Sequence, residues 1–323
     1  MLTLDLKDKK ILYELSINAR LTYAELGKKV RLHKDTVAYR MKQLEEKGVI
    51  SGYTMFFHFG RLGFRVYKLY VKFRGASSEK IQHIAHTLKE REEVGWVVFC
   101  QGNWDMIIGV MTSSVRAFTQ LKQWFEREEH DFIYELKATT HVEAYFYSRD
   151  YFLQKHEPVE VTIFKEEKRN VDLDKKDWTI LEMLVRNSRM AVVEIAQKTG
   201  LTARTVAYRI KRLEKEKVIL QYRASLNLEQ IGYIFVKAFI RLQNISEQER
   251  KKIIDYCKFN PHIIHNVECL GDWDIEPEFE VHSIEDFYTI IQEMRQKFAQ
   301  QIMTVESVII NRELKYGYVP RLT

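Results

Sequence analysis

Two short segments of this 323-residue chain carry groups that can hold a phosphate or read a base edge. Residues 34–43 present Lys34, Thr36, Tyr39, Arg40, Lys42 and Gln43 around the apolar positions Val37, Met41 and Leu44. Residues 204–212 present Arg204, Thr205, Tyr208, Arg209, Lys211 and Arg212 around Val206, Ile210 and Leu213. Apolar residues at i, i+4 and i+7 put one side of a helix in a core and leave the other side outward. Hydroxyl, amide and guanidinium groups on that outward side suit phosphates and base edges. A merely solvated face would carry more glutamate in its first turns. Here Glu45, Glu46, Glu214 and Glu216 are held back to the last turns. The bland alternative is a generic three-helix bundle. The two faces differ in charge. Residues 33–48 hold four Lys/Arg and three Asp/Glu, and residues 202–217 hold six and two. The second segment is therefore expected to grip phosphate harder and to prefer a different half-site.

Other constellations are weaker. No catalytic set is visible. His83 and His86 stand at i, i+3, as do His262 and His265, but neither pair has a Cys or carboxylate arrangement that fits a metal; both read as solvated or packed histidines. No metal or cofactor is expected. The links GNWD (102–105) and GDWD (271–274) combine a glycine for a tight turn with an Asp able to cap backbone N–H groups. The stretch DIEPEFEV alternates, with Ile275, Phe279 and Val281 on one face and Glu276, Glu278 and Glu280 on the other. Pro277 argues for a bulge or a missing ladder bond there.

The elements that must position these groups repeat. Shifted by 169 residues, the chain lies on itself without a gap: Asp5 meets Asp174, Arg20 meets Arg189, Glu25 meets Glu194, Tyr53 meets Tyr222, Gly63 meets Gly232, and TVAYR at 36–40 meets TVAYR at 205–209. This is a tandem duplication of a two-domain unit. Each unit opens with three short helices, the second started by a Thr22/Glu25 capping box in the first copy, a layout that suits a helix-turn-helix module. Strand and helix patterns then follow in the order βαββαβ, a ferredoxin-like sandwich. The fold class is α+β. The expected division is a helix-turn-helix domain at 1–53, a ferredoxin-like domain at 54–150, a linker at 151–172, and the same two domains again at 173–222 and 223–323.

The pattern LDLKDKKILYELSINARLTYAELGKKVRLHKDTVAYRMKQLEEKGVISGY resembles the DNA-binding domain of the Lrp/AsnC (leucine-responsive/asparagine-type) prokaryotic transcription regulators, and 171–222 matches it equally well. The resemblance implies a sequence-specific DNA-binding transcription regulator, with winged-type or plain helix-turn-helix modules and effector domains whose sheets pack face to face. It implies double-stranded DNA as partner, an amino-acid or other small-molecule effector, and self-association through the ferredoxin-like domains, within one chain as a pseudo-dimer or between chains. In the family the link between the second and third strands lies near the effector pocket, which marks Gly102, Asn103, Asp105, Gly271, Asp272 and Asp274 as candidate effector residues. Face-to-face packing would bring Lys68 and Lys72 onto the Glu276/Glu278/Glu280 face; alternatively Lys237 balances those glutamates within copy two. One alternative is an architectural DNA-binding protein without effector. Another is an enzyme, since some relatives of this scaffold decarboxylate tetrapyrroles. The region 61–73 offers Arg61, Arg65, Lys68 and Lys72 and no histidine, so no enzyme is expected.

Composition is consistent with this. The hydrophobic fraction is 46% and the net charge +6, which permits nucleic acid without arguing for it. Cys100, Cys257 and Cys269 form no framework, no run of 18 apolar residues exists, and the N-terminus lacks the apolar core of a secretory signal. Reduced, buried thiols in a cytoplasmic protein are expected.

Overall fold

A computed structural model describes residues 2–165 and 171–315. In the first copy Asp5 caps α1 (Leu6–Ile17) by accepting from the Asp8 N–H at 2.8 Å. The Thr22/Glu25 capping box starts α2 (Tyr23–Val30) as expected, and α3 (Lys34–Glu46) follows a short turn. Next come β1 (Ile50–Phe57), β2 (Arg65–Phe73), α4 (Ser78–Glu90), β3 (Val94–Gly102), β4 (Met106–Thr112), α5 (Val115–Glu128) and β5 (Ile133–Tyr147). The junction carries β6 (Glu160–Lys165). The second copy repeats the order: α6 (Lys175–Arg186), α7 (Val192–Thr199), α8 (Ala203–Lys215), β7 (Ile219–Leu226), β8 (Ile234–Leu242), α9 (Glu247–Phe259), β9 (Ile263–Leu270), β10 (Ile275–Val281), α10 (Ile284–Lys297) and β11 (Ile302–Lys315).

The two helical modules form one layer. β1 and β7 pair antiparallel, with Thr54 opposite Arg223. Those two positions are 169 apart, so a pseudo-two-fold axis passes between them. Hydrophobic residues of both modules merge into a single core, from Ile11, Leu15, Val37 and Leu44 to Ile180, Leu184, Val206 and Leu213. Two arginines that the repeat singled out exchange places across the axis. Arg20 donates to the Ser188 carbonyl at 2.5 Å, and Arg189 to the Ala19 carbonyl at 2.5 Å. Tyr53 and Tyr222 each donate to a glutamate of their own module, Glu45 and Glu214, at 2.5 and 2.7 Å. At the place of a wing, each module thus extends a strand that crosses to its counterpart.

The ferredoxin-like sheets have the expected strand order, β3-β4-β2-β5 and β9-β10-β8-β11. They do more than face each other. β3 pairs with β11 and β9 pairs with β5, so the two sheets close edge to edge into an eight-stranded barrel. Helices cover its outside, packing on Leu69, Ile108 and Val110 in copy one and on Ile240, Phe279 and Val281 in copy two. An eight-stranded barrel leaves an interior about wide enough for side chains to fill. The junction is not a bare tether. Tyr151, Phe152, Ile163 and Phe164 are buried, and β6 pairs with the end of β5; residues 166–170 of the expected linker lie outside the described residues. The three cysteines are buried and unpaired, and no described helix is long and apolar enough to cross a membrane.

If the exchanged arginines lock the module pair, Arg20→Ala combined with Arg189→Ala should speed hydrogen exchange of the β1 and β7 amides while leaving the barrel amides protected. Unchanged protection of the ribbon would show that strand pairing alone holds it.

Candidate nucleic-acid interface and barrel interior

The outward faces of α3 and α8 are only in part as expected. Tyr39 and Tyr208 are 65% and 67% exposed, and Lys34, Thr36, Lys42, Arg204 and Lys211 are exposed beside them. Thr205 is half-buried, and its hydroxyl lies 2.9 Å from that of Thr202, the cap of α8. Gln43 is half-buried and donates to Glu46. Arg40 and Arg209 turn inward instead. Arg40 bridges Asp5 and Asp8 at 2.8 and 2.7 Å, and Arg209 bridges Asp174 and Asp177 at 2.7 and 2.8 Å. Arg212 also pairs with Asp177, whose side chain is 1% exposed. These arginines tie the recognition helix to the start of the first helix. Burial works against the charge of Arg40, yet the hydrogen bonds both guanidinium groups donate to their aspartates hold the two pKa values above the usual range. The aspartates they bind, the helix caps Asp5 and Asp174 and the first-turn Asp8 and Asp177, appear in the sequence only as the "D" positions of the repeat.

The barrel interior brings Lys68 of copy one onto the glutamate face of copy two. Glu276 accepts from Lys68 at 2.8 Å and from Lys237 at 2.7 Å, two lysines that are equivalent in the repeat. Lys237 also meets Glu278 at 2.7 Å, and His265 Nδ1 lies 2.8 Å from the other oxygen of Glu278. Glu280 is clamped by Arg149 at 2.8 and 2.9 Å and accepts from Tyr151. Burial alone would raise the Glu276 carboxyl; Lys237 and Lys68 hold it well below the usual carboxylate range. His265 and Lys237 do the same for Glu278. Both the cross-copy contact and the internal one are therefore present. Lys72 does not take part: it reaches the Gly102 carbonyl and Asp105 outside the barrel at 2.9 and 3.0 Å. β2 runs past the barrel's end at that point, so its alternation no longer aims inward. Pro277 lies in a central strand, opposite Asn266, next to a register shift at Glu278/Phe279.

The GxWD links close the end of the barrel away from the ribbon. Trp104 and Trp273 are buried with ring centroids 6.2 Å apart, and Trp273 donates to Glu276 at 2.8 Å. Asp105 and Asp274 accept from the Phe73 and Leu242 N–H groups at 2.8 and 2.7 Å, capping the ends of β2 and β8. A Cβ on Gly102 would fall 2.7 Å from the Ser307 carbonyl, and on Gly271 2.9 Å from that of Ala138. Each glycine lets the neighbouring strand pass at a barrel seam. Asn103 donates to Glu306, and Asp272 is exposed. These six residues sit on the outside of that end. The cavity described below opens at the opposite end and none of them lines it.

That cavity, about 250 Å³, lies between the ribbon and the barrel mouth. Phe56, Phe146, Ile163 and Phe164 form much of its wall; Lys68, Arg149, Arg223, His141, His265, Glu278, Glu280 and Glu313 supply its polar groups. Burial lowers the pKa of both histidines, that of His141 well below the ordinary value. Glu313 and His141 escaped the sequence reading because bulges place them. Arg149 lies outside the strand alternation. Of the four paired histidines, His83 and His86 are solvated, and His262 stacks on Tyr151. No group of metal ligands occurs among the described residues.

Comparison with known proteins agrees with the modules. The AsnC-type helix-turn-helix domain matches residues 4–45 and 173–214. An uncharacterized HTH-type transcriptional regulator of Pyrococcus horikoshii is 30% identical over 150 residues, 46% of this chain and 93% of the relative. The regulator LrpA of the same organism is 36% identical over 33% of this chain and 74% of its own. The proline dehydrogenase transcriptional activator of Rhodobacter capsulatus is 30% identical over 36% and 77%. The crystal structure of the siroheme decarboxylase NirDL superposes with a TM-score of 0.64 at 10% identity, covering 98% of this chain and 94% of that one; the likeness is one of fold.

Two variants separate structure from recognition on α8. Arg209→Ala should lower stability by about 1–3 kcal/mol in urea unfolding without DNA, since it leaves Asp177 short of a partner, whereas Tyr208→Ala should stay within about 0.5 kcal/mol. Equal effects would contradict the inward assignment. In the barrel, Glu276→Gln should destabilise by about 3–5 kcal/mol, because two buried ammonium groups lose their shared carboxylate. The wild type should lose that contribution on acidification. Glu276 and Glu278 are depressed in the folded state, so their stabilisation is complete above the ordinary value of 4.5 and fades as the pH drops below it. Acid unfolding that is the same in wild type and Glu276→Gln would refute this.

Two AsnC-type modules at the repeat's own spacing, one relative matched over nearly its full length, and strand orders of the ferredoxin-like kind together place this chain in the Lrp/AsnC family of transcription regulators, with the family's unit present twice in one polypeptide.

Proposed function

We propose that the chain binds double-stranded DNA as a transcription regulator and brings both recognition helices to it from a single polypeptide. One observation carries the reading: the β1–β7 ribbon and the exchanged arginines hold the two modules about a pseudo-two-fold axis, while Tyr39 and Tyr208 stand out on α3 and α8. In such a pair the helices enter major grooves whose centres lie about one helical turn, ~34 Å, or a multiple apart. Lys34, Lys42, Arg204 and Lys211 are the cations assigned to phosphate; Thr36, Tyr39, Gln43, Thr205 and Tyr208 are assigned to base edges and sugars. Arg40, Arg209 and Arg212 act through the aspartates they bind, as positioning residues. The repeat copies are not identical on this face. Gln43 and His33 in one stand where Arg212 and Thr202 stand in the other, so the two half-sites should differ.

The enzyme reading has the barrel cavity in its favour, since it holds two imidazoles. Its size argues against a tetrapyrrole. A cavity of about 150 Å³ takes one benzene ring, and this one is less than twice that.

Selection from random duplexes should recover two unequal half-sites in fixed spacing. Binding should weaken steeply with salt, and Arg204→Ala should reduce the log–log salt slope by about 1. A salt-independent affinity, or selected sequences with no shared half-site, would sink the proposal.

A further inference from the structure

The polar groups of the cavity are unequally matched. Glu276 has Lys68 and Lys237, Glu278 has Lys237 and His265, and Glu280 has Arg149. Glu313 has the Trp96 indole N–H at 2.9 Å, and no cation is paired with it among the described residues. It reaches the cavity through a bulge. β11 pairs Ile310 with Cys100 and then skips to Arg312 opposite Phe99. Strict alternation from Val308 and Ile310 would turn Arg312 toward the cavity; the extra residue brings Glu313 to its rim instead, and both residues stay solvent-exposed. β5 carries the matching bulge, between His141 and Glu143. The position equivalent to Glu313 there is Ala144, so the carboxylate exists on one side of the axis only.

A second acceptor faces the same space. His265 is 7% exposed, and its Nε2 has no hydrogen-bond partner. Its Nδ1 lies against the Glu278 carboxylate, a close contact with imperfect alignment. A neutral imidazole in that position keeps its proton on Nδ1 and leaves Nε2 a bare acceptor. Glu313 is exposed as a residue; desolvation of its carboxyl at the cavity rim, with the Glu278 and Glu280 carboxylates adding to it, raises its pKa despite the Trp96 bond. A carboxyl so placed gains most from a positive partner.

We propose that the cavity is a binding site for a small organic cation, a primary amine on an apolar body of about ten to twelve non-hydrogen atoms. The ammonium has three donors and no acceptor; the Glu313 carboxylate has an indole N–H but no cation among the described residues, and His265 Nε2 has no hydrogen-bond partner. The apolar body lies on Phe56, Phe146 and Phe164. The size follows from the cavity, about 250 Å³, against one benzene ring in about 150 Å³. Because Phe56 and Arg223 belong to the ribbon, occupancy bears on how the two modules are held. That consequence rests on the DNA-binding reading, whereas the ligand assignment rests on the cavity alone.

Calorimetric titration of the full chain, without DNA, tests the assignment with tryptamine, indole and indole-3-acetate. Tryptamine should bind at one site per chain, and the neutral and anionic compounds about tenfold more weakly or not at all. Glu313→Gln, nearly isosteric and at the open side of the cavity, should weaken tryptamine by about tenfold or more. Its melting should match that of the wild type. His265→Phe supplies a second, independent loss. Failure of tryptamine to bind, equal binding of the three compounds, or unchanged affinity in Glu313→Gln would each overturn the proposal. A failure of DNA binding would leave it standing.

Discussion

One carboxylate near the middle of the barrel decides much of this structure. Glu276 takes the ammonium groups of Lys68 and Lys237 at once, and those lysines come from equivalent positions of the two copies. Lys68 has it as its carboxylate partner, and Lys237 has Glu278 besides. An ammonium taken out of water costs several kcal/mol even after relaxation, and only close opposite charge with further hydrogen bonds offsets this. Tyr70 and Trp273 supply those further bonds. Burial draws the Lys68 ammonium downward and the Glu276 contact opposes it.

Such an arrangement is closed to a symmetric dimer. Two identical chains repeat every residue, so a glutamate at this position would appear twice and face its own copy. Copy one instead has Ile107, Gly109 and Met111 where copy two has Glu276, Glu278 and Glu280. Tandem fusion lets one side carry all the acids of that strand while both sides keep a lysine. The helical layer shows the opposite behaviour. Arg20 and Arg189, Tyr53 and Tyr222, Asp5 and Asp174 are identical across the repeat and make equivalent contacts. Symmetry is retained in these contacts of the helical layer and abandoned in the barrel interior.

The sequence shows some of this plainly and hides the rest for physical reasons. Local periodicity carries the three helices, the βαββαβ order and the alternation that aims three glutamates to one side. It carries Lys237 beside them, because β8 and β10 are neighbours in that fold, and Lys68 as their partner through the packing of one copy's sheet against the other's. The edge-to-edge closure is not local: pairing of β3 with β11 joins residues about 200 apart, and nothing in either strand's pattern names its neighbour. Bulges defeat alternation at His141 and Glu313. Lys72 was expected with the glutamates because it shares a face with Lys68, but the strand outruns the barrel. Arg40 and Arg209 have the composition of a base-reading face, and only the aspartates beside them, the caps Asp5 and Asp174 and the first-turn Asp8 and Asp177, show that they turn inward. The GxWD aspartates cap backbone N–H groups, as the turn reading had it.

The placement of the cavity then matters more than its size. Its floor is the barrel and its roof is the ribbon, and the copies differ in both: Thr54, Met55 and Phe56 of one ribbon strand stand where Arg223, Ala224 and Ser225 stand in the other. Arg223 sits on the pseudo-two-fold axis opposite Thr54, stacks on Phe146 with its guanidinium 4.7 Å from the ring centroid, and lowers the Glu280 carboxyl along with Arg149. It is thus part of the strand pair that sets the spacing of α3 and α8, and part of the charge network of the interior. Arg223 is where that network reaches the axis. Coupling between an interior and a DNA-facing layer needs differential contact with two arrangements of the element between them. Here that element is a single antiparallel ribbon whose central residue touches both layers.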